Sequence, residues 1–505
     1  MMSAVGAELG RTDVPDEAGV PSRAIRRFLT RLERRGLNTH SLLIARAGTL
    51  AFEAYWWPYT AQTPHRLYSA SKSYVAVAVG ALVDDGHLTL SDRVIDYFPD
   101  KAPTAPVDPY VAAMRVVDLL TMRTAHGSTT YKQADDTDWV RTFFTVPPSR
   151  QPGAVFSYDT SATVVLTALV ERLSQQRLPD FLMDRVLRRI GVEAAPTALL
   201  SPTGIALDEL GGRPSAREVE VNPAGVAHGG SGLFCTPRDF LRFAQLCLDQ
   251  GRWGDDQVIS AEYMRAATGY QAATRHTAGR FPDSQCGYGF QFWRNQHGGF
   301  SARGMGGQIA LCLPDHDLVV VTTGDNQPVG GADQAFFDAV WEELLPALTG
   351  PVLADPAAAD DLADLVGSLS LAPVPLVAGV AAKELSATWQ LDEGYVPFAR
   401  LALEAGESGG ELRLITHDGQ EHTFPFGVGT FIRHELPGYG YETLSSAAWL
   451  DEHTLYLRSQ VIGHYHAQLD FTVAVQGDGV TLAMNRAAEM FAEEYEGTVS
   501  GHRAS

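Results

Sequence analysis

The stretch "SKSYVAVAVGALVD", Ser71 to Asp84, constrains the fold most. Its spacing predicts a helix, but one that is apolar almost all the way round. A helix with no polar face has to be enclosed on every side, so the chain must build packed layers around it. With 505 residues, 45% of them hydrophobic, there is enough material for such a core and for two domains. The entrance to this helix is different. Ser69, Ser71, Lys72 and Ser73 form a small polar cluster in front of the apolar run. The whole chain has four lysines, Lys72, Lys101, Lys132 and Lys383, and one of them stands at the mouth of a buried helix.

The flanking segments suggest what encloses it. Ile25, Phe28, Leu29 and Leu32 have helical spacing in "SRAIRRFLTRLERRG", which ends at Gly36. "SLLIARAGTLAFEAYW" reads as two strands around an Ala47-Gly48 turn. Met114 to Gly127 reads as a helix with a glycine stop, and Thr160 to Gln175 as another with Asp159 as N-cap. "TPRDFLRFAQLCLDQG" is a third, opened by Pro237 and closed by Gly251. "IALCLPDHDLVVVTTGDN" reads as a hairpin, and a helix follows over Gln334 to Leu345. Strands open and close the region while helices fill its middle. The fold class is therefore α/β, an α+β sandwich whose antiparallel sheet joins the two ends of the segment. Residues 1–350 are expected to form this domain. Residues 351–380, rich in Ala, Asp and Pro, read as a linker. Residues 381–505 alternate over short strands, with a His417-Asp418-Gly419 turn, and read as a C-terminal antiparallel β domain, sandwich or barrel.

Charge narrows the partners. A formal net charge of −21 repels nucleic acid and anionic membranes. No signal-peptide core and no membrane-length apolar run are present, so a cytoplasmic protein is expected, with a homodimer as one possible assembly. Cys235, Cys247, Cys286 and Cys312 form no CxxC pair and read as free thiols. His464 and His466 alternate on one strand face without an evident third ligand, so no metal and no cofactor is expected.

The chemistry is carried by three elements. Ser69 and Lys72, at i and i+3, share one face at a helix start. Apolar surroundings disfavour an ammonium, and a neutral amine there can take the proton of the serine hydroxyl. On its own this SxxK arises by chance in such a chain roughly one time in five. The second element is Tyr158, behind a Pro-Gly turn and just ahead of a helix, where a neighbouring lysine charge would favour its phenolate. The third is the glycine-rich run from Gly298 into a strand, where a backbone N–H can approach a substrate closely.

Together, Ser69-Ala70-Ser71-Lys72, Tyr158-Asp159-Thr160 and Ala302-Arg303-Gly304 resemble the SxxK, YxN and K/H-x-G motifs of the serine β-lactamase and penicillin-binding-protein superfamily, in the same order. The closest look is to its class C β-lactamase-like esterase and amidase branch. "LLTMRTAHG", "HGGSGLFCTPRDFLRFAQL" and "LPDHDLVVVTTGDN" are also similar to the family, and the likeness covers roughly Pro21 to Gly350. It implies an acyl-enzyme on Ser69, with Lys72 and Tyr158 as general base and acid. It also implies an oxyanion hole made by the N–H groups of Ser69 and of Met305, which follows Gly304.

The departures shape the expected substrate. Thr160 replaces the amide of YxN. Ala302 replaces the cation that grips a carboxylate, and Arg303 next to it should face the opposite way. His297-Gly298-Gly299, a rival H-x-G, lies before the strand begins. His126 and His228, in glycine-rich loops, are candidates to line the cleft. The expectation is a serine hydrolase for a carboxylic ester or small amide. The alternatives are a β-lactamase or D-amino-acid peptidase, an acyltransferase, and a silent binding protein on the same fold.

Overall fold

The computed structural model describes residues 9–104, 106–134, 136, 138–193, 226–349, 352, 354–463, 465–489 and 491–504. His464 of the expected histidine pair lies outside them. The chain divides into two compact units, with the boundary between Ser370 and Leu371.

The first unit is built on a seven-stranded sheet. Its strands are Gly10–Arg11 (β1), Thr39–Arg46 (β2), Thr49–Tyr55 (β3), Trp293–Arg294 (β4), Phe300–Gly304 (β5), Gln308–Leu313 (β6) and Leu318–Gly324 (β7), in the order β1-β3-β2-β7-β6-β5-β4. Every pairing is antiparallel except β1 with β3. The β2–β7 pair, with Val320 opposite Ile44, joins the two ends of the segment as expected. The β2–β3 turn is carried by Ala47 and Gly48, both at positive φ (49° and 69°), the geometry a tight hairpin needs.

Each face of the sheet is covered by helices. Helix α1 (Ser22–Arg34) turns Ile25, Phe28, Leu29 and Leu32 onto one face, with Ile309, Leu311 and Val320 of the sheet. The opposite face packs on α2 (Ser71–Asp84), α3 (Thr160–Ser174) and α4 (Pro237–Leu248) through Leu43, Ala310, Cys312 and Val319. In α2 every residue from Ser71 to Leu82 is buried, as its all-round apolar surface requires. Asp159 caps α3, accepting from the Ser161 N–H at 2.9 Å, and Thr236 caps α4. Helix α5 (Ala332–Ala339) runs on through a π-helical turn over Val340–Leu344. All four cysteines are free thiols.

Two expected elements differ. The helix expected over Met114–Gly127 is only Val116–Leu120. Met122 takes φ 54°, and the carbonyls of Met122, Arg123 and Ala125 accept from the N–H groups of Ser157, Gly153 and Ser149. Those tertiary bonds replace the continuation of the helix. Where a linker is expected, Pro356–Gly367 forms a helix (α6) capped by Asp355, which accepts from the Ala358 N–H at 3.1 Å. Leu362 is buried among the α1-side residues, with Leu365 and Val366 beside it, so α6 belongs to the first unit. Its narrow apolar stripe is hidden by an Ala- and Asp-rich composition.

The second unit is a sheet of ten strands that closes into a barrel. They are Leu385–Leu391 (β8), Phe398–Ala405 (β9), Gly409–Thr416 (β10), Glu421–Val428 (β11), Ile432–Glu435 (β12), Glu442–Trp449 (β13), Thr454–Val461 (β14), Ala467–Gln476 (β15), Gly479–Ala488 (β16) and Gly497–Arg503 (β17). Consecutive strands pair antiparallel except β11 with β12. β17 returns to β8, and a parallel β11–β13 pairing closes the ring. Alternating buried residues, such as Leu455 and Leu457 on β14 and Leu469, Phe471 and Val473 on β15, fill it. Of the two expected forms, sandwich and barrel, closure selects the barrel. Among the described residues no helix is long and apolar enough to cross a membrane.

Candidate active site

Ser69 lies in a single 3-10 turn, Tyr68–Ala70, that leads directly into α2. Tyr68 is held at φ 45°, an uncommon conformation for a bulky residue, which turns the chain sharply ahead of the serine. Lys72 is buried, 1% exposed, and its Nζ donates to Ser69 Oγ at 3.1 Å and to the carbonyl of Gly230. The other polar residues of the cluster have structural partners. Ser71 Oγ accepts from the Leu233 N–H at 3.1 Å, and Ser73 Oγ donates to the Gln291 carbonyl at 2.7 Å. The polar mouth of the apolar helix is therefore fully engaged, and of its side chains Ser69 is the one that is only partly covered.

Tyr158 stands at the foot of α3, one residue before the Asp159 cap. Its side chain is hydrogen-bonded to Ser69, and Lys72 Nζ lies 5.0 Å above its ring centroid. Burial pushes the phenol up to about 12, against the hydrogen bond to Ser69 and the charge of Arg303, both of which lower it. The expected ease of forming the phenolate is thus outweighed by desolvation. On its other face Tyr158 stacks on Trp293 at 5.7 Å and 17°, which fixes the ring's orientation. Neither Trp293 nor the Gly230 carbonyl could be singled out from sequence: one is an unremarked tryptophan and the other a backbone atom.

The loop around Gly230 shows why its glycines are needed. A Cβ on Gly229 would sit 2.2 Å from Thr167 Oγ1 and 2.6 Å from Val75 Cγ2, and one on Gly230 would sit 2.7 Å from Thr160 Cγ2. The loop is pressed between α2 and α3, which brings its carbonyl to Lys72. Thr160 meets this loop through its methyl group, and its N–H donates to Thr129 Oγ1 at 3.2 Å.

The third element arrives by an equally close approach. A Cβ on Gly304 would lie 2.0 Å from the Leu67 carbonyl oxygen, so only glycine lets the end of β5 reach the turn that carries Ser69. Beyond it, Met305 is exposed. Among the described residues the N–H groups of Ser69 and Met305 donate to no protein acceptor.

The motif departures have clear placements. Ala302 is 3% exposed and packed in the core beside α2, so no side chain at this position of the strand reaches out as a cation. Arg303 faces the other way, as alternation requires. Its Nε donates to Ser301 Oγ at 2.8 Å and its Nη2 to the Asp283 carbonyl at 3.0 Å. Burial lowers it to about 10. The rival His297 sits in the turn before β5, its ring 4.8 Å from Trp341. His126 does not join the site: its Nε2 is 2.9 Å from the Phe143 carbonyl. His228 is buried edge-on to Trp139, and its Nδ1 lacks a partner among the described residues. Burial holds its imidazole well below the usual value, with the charges of Arg66, Lys72 and Lys132 adding to that, so it is neutral.

The sequence matches the family described as Beta-lactamase over residues 22–339. A 6-aminohexanoate-dimer hydrolase of Paenarthrobacter ureafaciens is 26% identical over 305 residues, covering 56% of this chain and 71% of that protein. Penicillin-binding protein 4 of Amycolatopsis lactamdurans is 28% identical over 322 residues, covering 59% and 82%. In fold, a penicillin-binding protein homolog from Caulobacter crescentus superposes with a TM-score of 0.50 at 15% identity, covering 65% of this chain and 98% of that one. On the match over 22–339, the chain belongs to the beta-lactamase family, and it is a serine hydrolase.

Proposed function

We propose that the protein hydrolyses a carboxylic ester or small amide through an acyl-enzyme on Ser69. The observation that carries this is the arrangement of one partly covered hydroxyl between a buried amine at 3.1 Å and a hydrogen-bonded phenol. In the first step the Lys72 amine takes the Ser69 proton as Oγ bonds to the acyl carbon, and the carbonyl electron pair moves onto oxygen. The free N–H groups of Ser69 and Met305 receive that oxyanion. Collapse breaks the bond to the leaving group, which takes its proton from the Tyr158 phenol, and Lys72 restores that proton. A phenol at about 12 is protonated at neutral pH, which suits it as the acid and leaves the first base to Lys72. Water then repeats the sequence on the acyl-enzyme.

The apolar Ala302, and the Thr160 methyl where the family has an amide, argue for substrates without a carboxylate grip. This favours esters and small amides over β-lactams and D-peptides. The relative named as a 6-aminohexanoate-dimer hydrolase supports the amide arm. A panel of nitrophenyl esters, nitroanilides and a chromogenic cephalosporin tests the reading. Turnover of esters or anilides that disappears in Ser69→Ala is expected. Cephalosporin turnover exceeding both would favour the β-lactamase alternative, and no turnover together with no fluorophosphonate label would leave a binding protein.

A further inference from the structure

The back of β5 faces a cavity of about 270 Å³. Met305 lines it, so it begins at the residue that follows Gly304. Phe281, Val329 and Phe337 give it apolar walls, and its charged lining residues are Arg303 and Asp333. At this volume, just under the roughly 300 Å³ at which whole-ligand pockets begin, it fits one arm of a substrate.

The two charges are not equivalent. Arg303 is partnered on every side. It donates to Ser301 Oγ and the Asp283 carbonyl, and its guanidinium lies 4.5 Å from the Phe337 ring centroid and 5.3 Å from that of Trp293. Of the carboxylates around it, Asp333 supports its charge most and Asp283 next. The Asp283 carboxylate is held below its ordinary value, against burial, by hydrogen bonds from Gln296, Trp341, Gln334 and Asn295. Asp333, on the first turn of α5, has no hydrogen bond and no ion pair among the described residues. Burial raises its carboxyl, and Arg303, beyond ion-pair distance, offsets this only in part. Two carboxylates thus share one guanidinium, and the one that lines the cavity, Asp333, feels its charge without a hydrogen bond or close ion pair. A cation entering there would make the direct contact with the carboxylate that no protein group makes.

We propose that this cavity is a subsite for an organic ammonium group, held by Asp333, on the acyl or leaving arm of the substrate. Its role as a substrate arm rests on the Ser69 reading above; the cation site itself does not. Phe281 and Phe337 add aromatic surface that suits an alkylammonium.

Calorimetric titration with choline and with its neutral tert-butyl isostere tests the site directly. Wild type is expected to bind choline about tenfold more tightly than the isostere, and Asp333→Asn to abolish that margin. Asp333→Glu, which keeps the charge, is expected to retain part of it. Equal binding of the two probes by wild type overturns the proposal, as does a margin that survives in a folded Asp333→Asn. The catalytic counterpart is the kcat/KM ratio for acetylthiocholine over its tert-butyl isostere, which is expected to fall in Asp333→Asn. Fluorophosphonate labelling separates the two claims. Labelled Ser69 without a choline margin sinks the subsite alone, and a choline margin without label sinks the nucleophile alone.

Discussion

On one face of β5, Phe300, Ala302 and Gly304 are apolar, and Phe300 and Ala302 pack into the core on the α2 side; on the other, Ser301 and Arg303 carry the polar groups, and Arg303 meets α5. On the proposed reading the first face positions the acyl chemistry, while the second holds charge. A slip of one residue would exchange them. What prevents it is Gly304, which fits against Leu67 only because it has no Cβ. The strand carries Arg303 on the face away from Ala302 and α2, so on the proposed reading recognition of charge and cleavage of the bond would fall on opposite sides of the same five residues.

The largest effects are expected where the acyl face is broken. Ser69→Ala should lower kcat/KM by about ten-thousand-fold or more, and Tyr158→Phe by about a hundred- to ten-thousand-fold, with KM moved far less. Steady-state kinetics on one ester substrate checks both. Gly304→Ala forces a Cβ to within 2.0 Å of the Leu67 carbonyl oxygen. It should cost about 3 kcal/mol in denaturant unfolding and reduce kcat, because Met305 retreats with the strand. Ala302→Lys tests whether the family's cation can simply be restored. The site is closed and apolar, so the variant should lose about 3 kcal/mol and gain no turnover of carboxylate-bearing substrates. Efficient cephalosporin hydrolysis by that variant would break the comparison.

The smallest effect concerns the Asp159 cap. Burial raises its carboxyl to about 6 from the ordinary 3.8, against hydrogen bonds from Ser161 and Thr124. The native state therefore holds this proton more tightly than the unfolded chain. The resulting stability is present at the acid end and is lost as pH rises from about 4 through 6. Asp159→Asn keeps a capping oxygen and removes the titration. The melting temperature of wild type relative to this variant should fall over that window and then level off.

Much of the acyl face was legible because its signals are local. The i, i+3 spacing of Ser69 and Lys72, the cap at Asp159 and the strand alternation that turns Arg303 away all follow from nearest neighbours. The misreadings arose where tertiary bonds prevail. The 122–125 carbonyls bind the 149–157 loop instead of extending a helix, and α6 hides the apolar stripe of Leu362, Leu365 and Val366 in an Ala- and Asp-rich segment. The sequence suggests an easily ionised phenol at Tyr158, because it shows the neighbours of that residue but not its burial. Asp333 belongs to no motif in the sequence, and only the cavity beside it gives it significance.

If Ser69 forms the acyl-enzyme, that species can be trapped. Acid quench during turnover of nitrophenyl acetate, followed by intact mass and peptide mapping, should find one acetyl group on Ser69 in wild type and none in Ser69→Ala. An acetyl group on another residue at full stoichiometry, or steady turnover that persists in Ser69→Ala, would contradict the account.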